Sequence, residues 1–205
     1  MTLKQFVTKA GAATTLLVAV TLVAMLLVVT AKQAAADVVV IERCSSTAEE
    51  ICKTVTYDDG DGIIDVGEPI SYTVLITVYN GTGSAWNSAV VTDTFGSDLD
   101  LSANLSTLPA GVNLTRTTTN PKGKGTGTEK WKLNWNIGTL GAGGTATLTL
   151  TAETDINPGG NQEYTSCGLH VVNGGANLRF GRSARQQQSF NTGAIYVSVV
   201  CPEEL

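Results

Sequence analysis

Beyond residue 37 the chain alternates apolar and polar residues with the period of two that is typical of β-strands. The clearest alternation lies in residues 130–137, where tryptophan, leucine and isoleucine occupy every second position and lysine or asparagine the positions between. Residues 145–152 repeat the pattern with threonine as the polar partner. Other segments with strand-like patterns are residues 38–41, 53–57, 70–79, 89–94, 112–118, 164–172 and 194–201.

Turns rich in glycine and asparagine separate these segments, as in residues 80–83, and long helix-forming stretches are missing after residue 37. This arrangement predicts an all-β protein, an antiparallel β-sandwich of the Ig-like or jelly-roll kind with about seven to eight strands. We expect one such domain in residues 55–205, preceded by an N-terminal extension at residues 37–54.

The N-terminus has the pattern of an export signal. Lys4 and Lys9 form a short basic region, residues 10–31 carry no charge, and Ala36 ends a run of small residues before Asp37. We therefore predict a signal peptide at residues 1–36, cleaved after Ala36. The alternative is a retained membrane anchor, because roughly 20 apolar residues can span a bilayer.

Charge narrows the range of partners. Only 15% of the residues are charged, and removal of the N-terminal segment with its three lysines changes the net charge from −5 to −8. An acidic domain is repelled by nucleic acid and by anionic lipid surfaces. We therefore expect no nucleic-acid partner, and contact with a membrane only through the N-terminal segment if it is not cleaved.

Four cysteines in an exported chain without a C-x-x-C motif favour disulfides over a zinc site. The sequence allows three pairings. We favour Cys44 with Cys52, which are close in the chain, and Cys167 with Cys201, which fall on the inward-facing parity of two late strands. Free buried thiols are the alternative.

Three tripeptides match the acceptor pattern for N-glycosylation. They begin at Asn80, Asn104 and Asn113, and in a threonine-rich chain such matches also arise by chance. A glycan at any of them fits a secreted protein of the cell surface.

The segment 57–68 carries the strongest chemical signal, since five of the 18 acidic residues fall within eleven positions and are interleaved with glycines. Aligned with the twelve-residue calcium-loop template, the ligand positions after the first match this sequence. The predicted ligands are Asp59, Asp61, the carbonyl of Ile63, Asp65 and Glu68. Tyr57 stands at the first position, where Asp58 could substitute. We predict Ca²⁺, with a solvated acidic turn as the alternative.

Signals for catalysis are weak. His170 is the single histidine, and neither a G-x-S-x-G motif nor a phosphate-binding glycine loop is present. The alternation favours a core position for Trp131 and Trp135 over a role as a sugar-binding platform. We therefore do not expect an enzyme, although a Ser-His-Asp arrangement remains open on counting alone.

Four stretches together resemble the conserved-repeat Ig-like domain of prokaryotic surface proteins. They are GIIDVGEPISYTV from Gly62, VYNGTG from Val78, VVTDT from Val90 and WNIGTLGAG from Trp135. The resemblance covers most of residues 57–173, and a single exported copy also resembles the subunits of archaeal extracellular tubes and threads, including cannulae. It implies self-assembly by strand donation, with calcium at or near the contacts between subunits.

The run Val38, Val39, Val40 and Ile41 is the predicted donor strand, because an apolar β-forming segment left in water is prone to aggregate. Its alternative role is an edge strand of its own sandwich. The sequence thus predicts a secreted structural subunit that forms a homopolymer. The alternative function is a calcium-dependent adhesion or ligand-binding module of the cell surface.

Overall fold

The structure, a computed structural model, describes residues 38–45, 50–119, 128–155, 163–181 and 187–201. Within these ranges the chain is built almost entirely of β-strands, together with one short 3₁₀-helix at Ser102–Ser106. The first seven strands are β1 Val38–Cys44, β2 Ile51–Asp58, β3 Ile64–Asp65, β4 Ser71–Tyr79, β5 Trp86–Thr94, β6 Leu99–Asp100 and β7 Val112–Thr119. The remaining six are β8 Thr128–Leu140, β9 Thr145–Thr154, β10 Gly168–Asn173, β11 Asn177–Phe180, β12 Gln188–Asn191 and β13 Ile195–Val200.

The strands form three sheets. Two sheets have five strands each, in the orders β1-β2-β4-β9-β6 and β12-β11-β5-β8-β7, and the third has the order β10-β13-β3. All pairings are antiparallel except that of β13 with β3. The predicted all-β, antiparallel sandwich architecture is confirmed.

One apolar core lies between the sheets because alternate residues of each strand point inward. In β4 the side chains of Tyr72, Val74, Ile76 and Val78 are fully buried. In β8 the predicted inward face is also confirmed, since Trp131, Leu133 and Trp135 are buried while Lys130 and Lys132 are exposed. Both tryptophans are therefore core residues.

The strand number and the N-terminal boundary differ from prediction. Four short strands, β3, β6, β11 and β12, have too few residues to show an alternating pattern, so the prediction of seven to eight strands was too low. Residues 37–54 were predicted to be an extension of the domain. Instead β1 and the first half of β2 are integral strands of the first five-stranded sheet.

Both favoured disulfides are confirmed, Cys44 with Cys52 and Cys167 with Cys201. Cys44 and Cys52 face each other in the β1–β2 ladder. The inward parity assigned to the second pair was wrong, because Cys167 precedes β10, Cys201 follows β13, and both are exposed. The pair forms because β10 and β13 are antiparallel neighbours, which brings these two ends together.

Among the described residues no helix has the length and apolar character needed to cross a bilayer. The predicted signal peptide, residues 1–36, lies outside the described residues, so its cleavage stays a prediction.

Candidate metal loop and strand edge

The acidic loop joins β2 to β4 and is fixed to the third sheet along its second half. Asp58 ends β2, and Ile64 and Asp65 form β3, which pairs with Val199 and Val200 of β13. A further backbone hydrogen bond of 3.1 Å runs from the Val66 amide to the Val200 carbonyl. The loop therefore projects from β3, the edge strand of the third sheet, near the end of β13 that the Cys167–Cys201 disulfide joins to β10.

Carboxylates of the loop accept hydrogen bonds from the loop's own backbone amides. Asp58 accepts from Gly60 at 3.0 Å, Asp59 from Gly62 at 2.7 Å and Asp61 from Ile63 at 3.0 Å. The two glycines have φ angles of 89° and 84°, a left-handed conformation that side chains disfavour. These turns explain the glycine spacing without a metal ion.

Glu68 closes the second half of the loop. Its Oε2 atom accepts the Asp65 amide at 3.1 Å, and its own amide donates to the Asp65 carbonyl at 3.2 Å. A sixth acidic residue lies nearby that the sequence pattern did not indicate, because Glu163 Oε2 would lie 3.8 Å from a Cβ placed on Gly67. The loop end thus gathers acidic groups from two distant parts of the chain.

Asp59 is the one acid of the loop with an unsatisfied buried atom. Its Oδ2 atom is buried and has no hydrogen-bond partner among the described residues, whereas the neighbouring acids are exposed. Burial raises the pKa of Tyr57, and the nearby charge of Asp59 raises it further. An unpaired carboxylate oxygen at this position is the kind of donor that Ca²⁺ prefers.

The ligand set is not assembled into a closed site. Among the described residues, one group of three acidic, histidine or cysteine side chains has its ligand atoms within 4.8 Å of one another, namely Glu42, Cys44 and Cys52. The two cysteines of that group form a disulfide, and no such group lies among the described residues of the acidic loop. The donor chemistry of Asp58, Asp59, Asp61, Asp65, Glu68 and the Ile63 carbonyl suits Ca²⁺. Binding would require the loop to contract around the ion.

The predicted donor strand is β1, and it occupies the edge position that was its alternative role. Its residues pair antiparallel with β2, from Val38 opposite Asp58 to Cys44 opposite Cys52. Val39 and Ile41 pack against the core, while Val38 and Val40 are 55% and 60% exposed. Within the described part of the chain β2 is the one hydrogen-bonded neighbour of β1, so its other edge is unpaired.

Two of the three predicted glycosylation sites are wrong because their side chains are structural. The Asn80 amide is fully buried and donates to the carbonyls of Ser84, Leu140 and Gly141, each at 2.9 Å. The Asn104 amide is also buried and donates to the carbonyls of Leu101, just before the 3₁₀-helix, and of Thr151 in β9. Asn113 on β7 is exposed and stays a prediction.

His170 is held in a geometry that resembles a catalytic triad but is unsuited to one. Its Nδ1 lies 2.9 Å from Asp98 Oδ2, and its Nε2 lies 3.5 Å from the Ser166 hydroxyl. The same Nε2 lies 2.8 Å from the Ser166 carbonyl, which only accepts hydrogen bonds. Nε2 therefore acts as a donor and cannot take the serine proton.

Sequence reasoning missed a group of buried polar side chains in the core. Lys53 of β2 and Asn173 of β10 are fully buried, and Asp93 of β5 is 4% exposed. The signal was present for two of them, because Lys53 shares its inward parity with Ile51 and Val55, and Asp93 shares its parity with Val91. A polar residue at a core position is rare unless it has partners there.

A shallow polar cleft of about 500 Å³ lies on the second five-stranded sheet. Threonine and asparagine side chains of β5, β7, β8 and β11 dominate its lining, and Lys132 supplies a positive charge. The lining carries hydrogen-bonding groups but no cluster of acids or of nucleophile and base.

The two disulfides indicate an oxidising setting outside the cytoplasm. No family model matches the chain, and no curated protein matches it. Similar solved structures include the GH20 exo-β-N-acetylglucosaminidase of Vibrio harveyi in complex with N-acetylglucosamine, at 13% identity and a TM-score of 0.25, over 68% of this chain and 17% of that one. They also include DesR, a β-glucosidase from Streptomyces venezuelae in complex with D-glucose, at 14% identity and a TM-score of 0.22, over 80% of this chain and 15% of that one. The chain thus spans less than a fifth of either enzyme, and similarity at this level assigns no activity.

Proposed function

We propose that the protein is a structural subunit of an extracellular filament or tube, in which β1 pairs with a strand of the next copy and Ca²⁺ bound by residues 57–68 stabilises the assembly. The observation that carries this proposal is the free edge of β1. Within the part of the chain that the structure describes, this edge combines backbone groups that no second strand pairs with and the exposed side chains of Val38 and Val40.

Monomeric β-proteins protect such edges with charges, proline or bulges. In β1 the first four residues are valine or isoleucine, and the charged residues Glu42 and Arg43 come only toward its end. Strand addition satisfies the free backbone groups and places side chains of the added strand beside the two exposed valines. A contact between different surfaces of successive copies does not close on itself, so it extends into a fibre or helical tube.

The disulfide between Cys44 and Cys52 constrains how β1 is donated. It ties the C-terminal end of β1 to β2, so a donated strand stays anchored to its own subunit at Cys44. Deletion of residues 37–42 would remove most of an integral strand and expose β2. A charge on the outer face of β1 is therefore a cleaner test of assembly than the deletion.

Calcium belongs to this proposal because the acidic loop begins where β2 ends, opposite the start of β1. Val38 pairs with Asp58, the first acid of the loop. Contraction of the loop around an ion would neutralise carboxylates beside the proposed contact and fix the end of β2. We expect assembly to depend on Ca²⁺ for this reason.

The second candidate function is a calcium-dependent adhesion or ligand-binding module. The polar cleft of about 500 Å³ beside Asn113 and Lys132 favours it, since its hydroxyl and amide groups suit a hydrogen-bonding ligand. A module of this kind remains monomeric at every calcium concentration, which separates it from the subunit.

The test compares the sedimentation of wild type with that of a Val38→Lys, Val40→Lys variant in the presence of Ca²⁺. Wild type should form rapidly sedimenting polymers, and the variant should stay monomeric because lysines on an edge strand oppose the addition of another strand. The control is Leu105→Lys, since Leu105 is 50% exposed on the 3₁₀-helix, away from β1. Polymers of the β1 variant, or monomers of wild type, would contradict the proposal.

A further inference from the structure

Lys53, Asp93 and Asn173 come from three strands and meet inside the core. Lys53 Nζ contacts Asn173 Oδ1, lies 3.9 Å from Asp93 Oδ2 and lies 3.3 Å from the Gly193 carbonyl. Asn173 is held beside β5 by its bridge to Phe95 and by a 2.6 Å hydrogen bond from the Gly174 amide to the Thr94 carbonyl. The lysine therefore reaches across the core from one sheet to the end of another.

The hydrogen bonding of this trio is incomplete. Asp93 Oδ1 accepts the Thr94 amide at 2.7 Å, but the Asn173 amide acts on Asp93 without a well-aligned hydrogen bond, so Asp93 Oδ2 and Asn173 Nδ2 are left unsatisfied among the described residues. An ordinary buried ion pair survives because its remaining polar atoms are satisfied. The two orphaned atoms are the carboxylate oxygen nearest the amine and the amide nitrogen of the asparagine that the amine contacts.

Burial also favours the neutral forms of the two charged groups. Desolvation lowers the pKa of Lys53 to about 8, although the charge of Asp93 opposes this shift. Desolvation raises the pKa of Asp93 against the opposite influence of Lys53, Asn173 and the Thr94 amide. A neutral amine is a nucleophile, and a protonated carboxyl can donate a hydrogen bond to a carbonyl oxygen.

We propose that Lys53 and Asn173 form an intramolecular isopeptide bond in the folded protein, with Asp93 carrying the proton. The proposal does not rest on the assembly of filaments. In this reaction Asp93 Oδ2 and Asn173 Nδ2 take part in proton transfer, whereas a simple ion pair would leave both atoms unsatisfied.

The reaction balances without an oxidant or cofactor. The neutral Nζ of Lys53 attacks Cγ of Asn173, the carbon bonded to the oxygen it contacts, while protonated Asp93 donates to that carbonyl. Asp93 then transfers a proton originating from Nζ to Nδ2, the bond between Cγ and Nδ2 breaks, and ammonia leaves. The product is a secondary amide between two side chains, and the Gly193 carbonyl orients the amine before attack.

The product would tie β2 to β10 across 120 residues of sequence. It would also convert the Lys53 amine, which is costly to keep charged in the core, into part of a neutral amide. Loss of ammonia and the complete burial of Lys53 and Asn173 would make the bond permanent under native conditions.

The intact mass of the reduced, denatured protein tests the proposal. Wild type should be about 17 Da lighter than the mass calculated from its observed N-terminus, since one ammonia is lost. Lys53→Arg, Asn173→Ala and Asp93→Ala should each have their full calculated mass. Lys132→Arg is the matched control and should keep the deficit, because Lys132 is exposed on β8.

Peptide mapping of wild type keeps the test decisive even where a core variant fails to fold. Digestion should yield a branched peptide in which the Lys53 segment is joined to the Asn173 segment, and tandem mass spectrometry locates the bond. Wild type at full mass without the branched peptide would overturn the proposal, as would a deficit that persists in Lys53→Arg. A deficit that persists in Asp93→Ala would overturn the role of Asp93.

Discussion

The adjacent strands β1 and β2 break the rule of apolar core and polar surface in opposite directions. β1 exposes Val38 and Val40 on its outer face, whereas β2 buries Lys53 completely between Ile51 and Val55. The exposed valines lie on a free sheet edge, where a second chain can reach them. The buried lysine lies where only its own chain can reach it.

The two strands should therefore contribute to different properties, β1 to the assembly of copies and β2 to the stability of the fold. Apolar side chains exposed at a sheet edge can be covered by another molecule. Their substitution should therefore reduce assembly and hardly change the stability of the fold. A polar side chain buried in the core must find its partners within its own molecule. Its substitution should therefore lower the stability of the fold. Substitutions at Lys53 should therefore change the stability of the fold much more than substitutions at Val38 and Val40.

Lys53→Met should be the most damaging of these substitutions. It removes the covalent tie proposed through Lys53, and in chains without that tie it leaves Asp93 buried without a counter-charge, so we expect a loss of about 3–5 kcal/mol of unfolding free energy. Chemical denaturation measures the loss, and Lys132→Met is the exposed control with an expected change within about 0.5 kcal/mol. Equal stability of the two variants would show that the buried trio does not support the fold.

Calcium should stabilise the protein through the acidic loop. An ion that binds only the folded state at 100 times its dissociation constant adds about 2.7 kcal/mol, so the melting temperature should rise with Ca²⁺ and fall on chelation. Asp61→Asn with Glu68→Gln should abolish the rise, while Asp100→Asn, outside the loop, should keep it. Equal calorimetric heats of binding for wild type and the loop variant would remove the site.

The pH dependence of stability should reveal whether Lys53 still has an amine. In Asn173→Ala no isopeptide bond can form, and the lowered pKa of Lys53, about 8 against 10.5 unfolded, means that the unfolded chain binds one more proton between these values. Its unfolding free energy should therefore rise with pH in this window, by up to about 1.4 kcal/mol per pH unit. Wild type with the bond should lack this rise, and a matching rise in both proteins would count against the bond.

The smallest effect on stability should come from β1. Val38→Lys and Val40→Lys change side chains that are more than half exposed, so each should shift the unfolding free energy by about 0.5 kcal/mol or less while assembly is lost. Thermal unfolding of the monomeric variants checks this. A loss of several kcal/mol would mean that the outer face of β1 supports its own domain rather than a neighbour.

Local patterns predicted much of the fold. Alternation located the long strands because a half-buried strand of eight or more residues repeats its period several times, as β4 and β8 do. The Cys167–Cys201 pair was predicted correctly for a wrong reason, since the pairing depends on the antiparallel contact of β10 with β13 rather than on side-chain parity. Short strands such as β3 depend on a distant partner and leave no local pattern.

The candidate sites differed in the same way, because local sequence revealed some of them and only the tertiary fold revealed the others. The acidic loop was visible because all its acids are close in sequence, and its turns are local. The inward parity of Lys53 and Asp93 was visible in the sequence, but their meeting with Asn173 was not, because Lys53 and Asn173 are 120 residues apart and only the tertiary fold brings them together. Asn80 looked like a glycosylation acceptor because a tripeptide does not show that its amide is occupied by carbonyls 60 residues away.

Electron microscopy of the purified, secreted protein, with Ca²⁺ and after chelation, tests the proposed function most directly. We expect long filaments or tubes in Ca²⁺ that shorten or dissociate when the ion is removed, and separate particles for the Val38→Lys, Val40→Lys variant under both conditions. Separate particles of wild type at high protein concentration in Ca²⁺ would contradict the structural-subunit proposal.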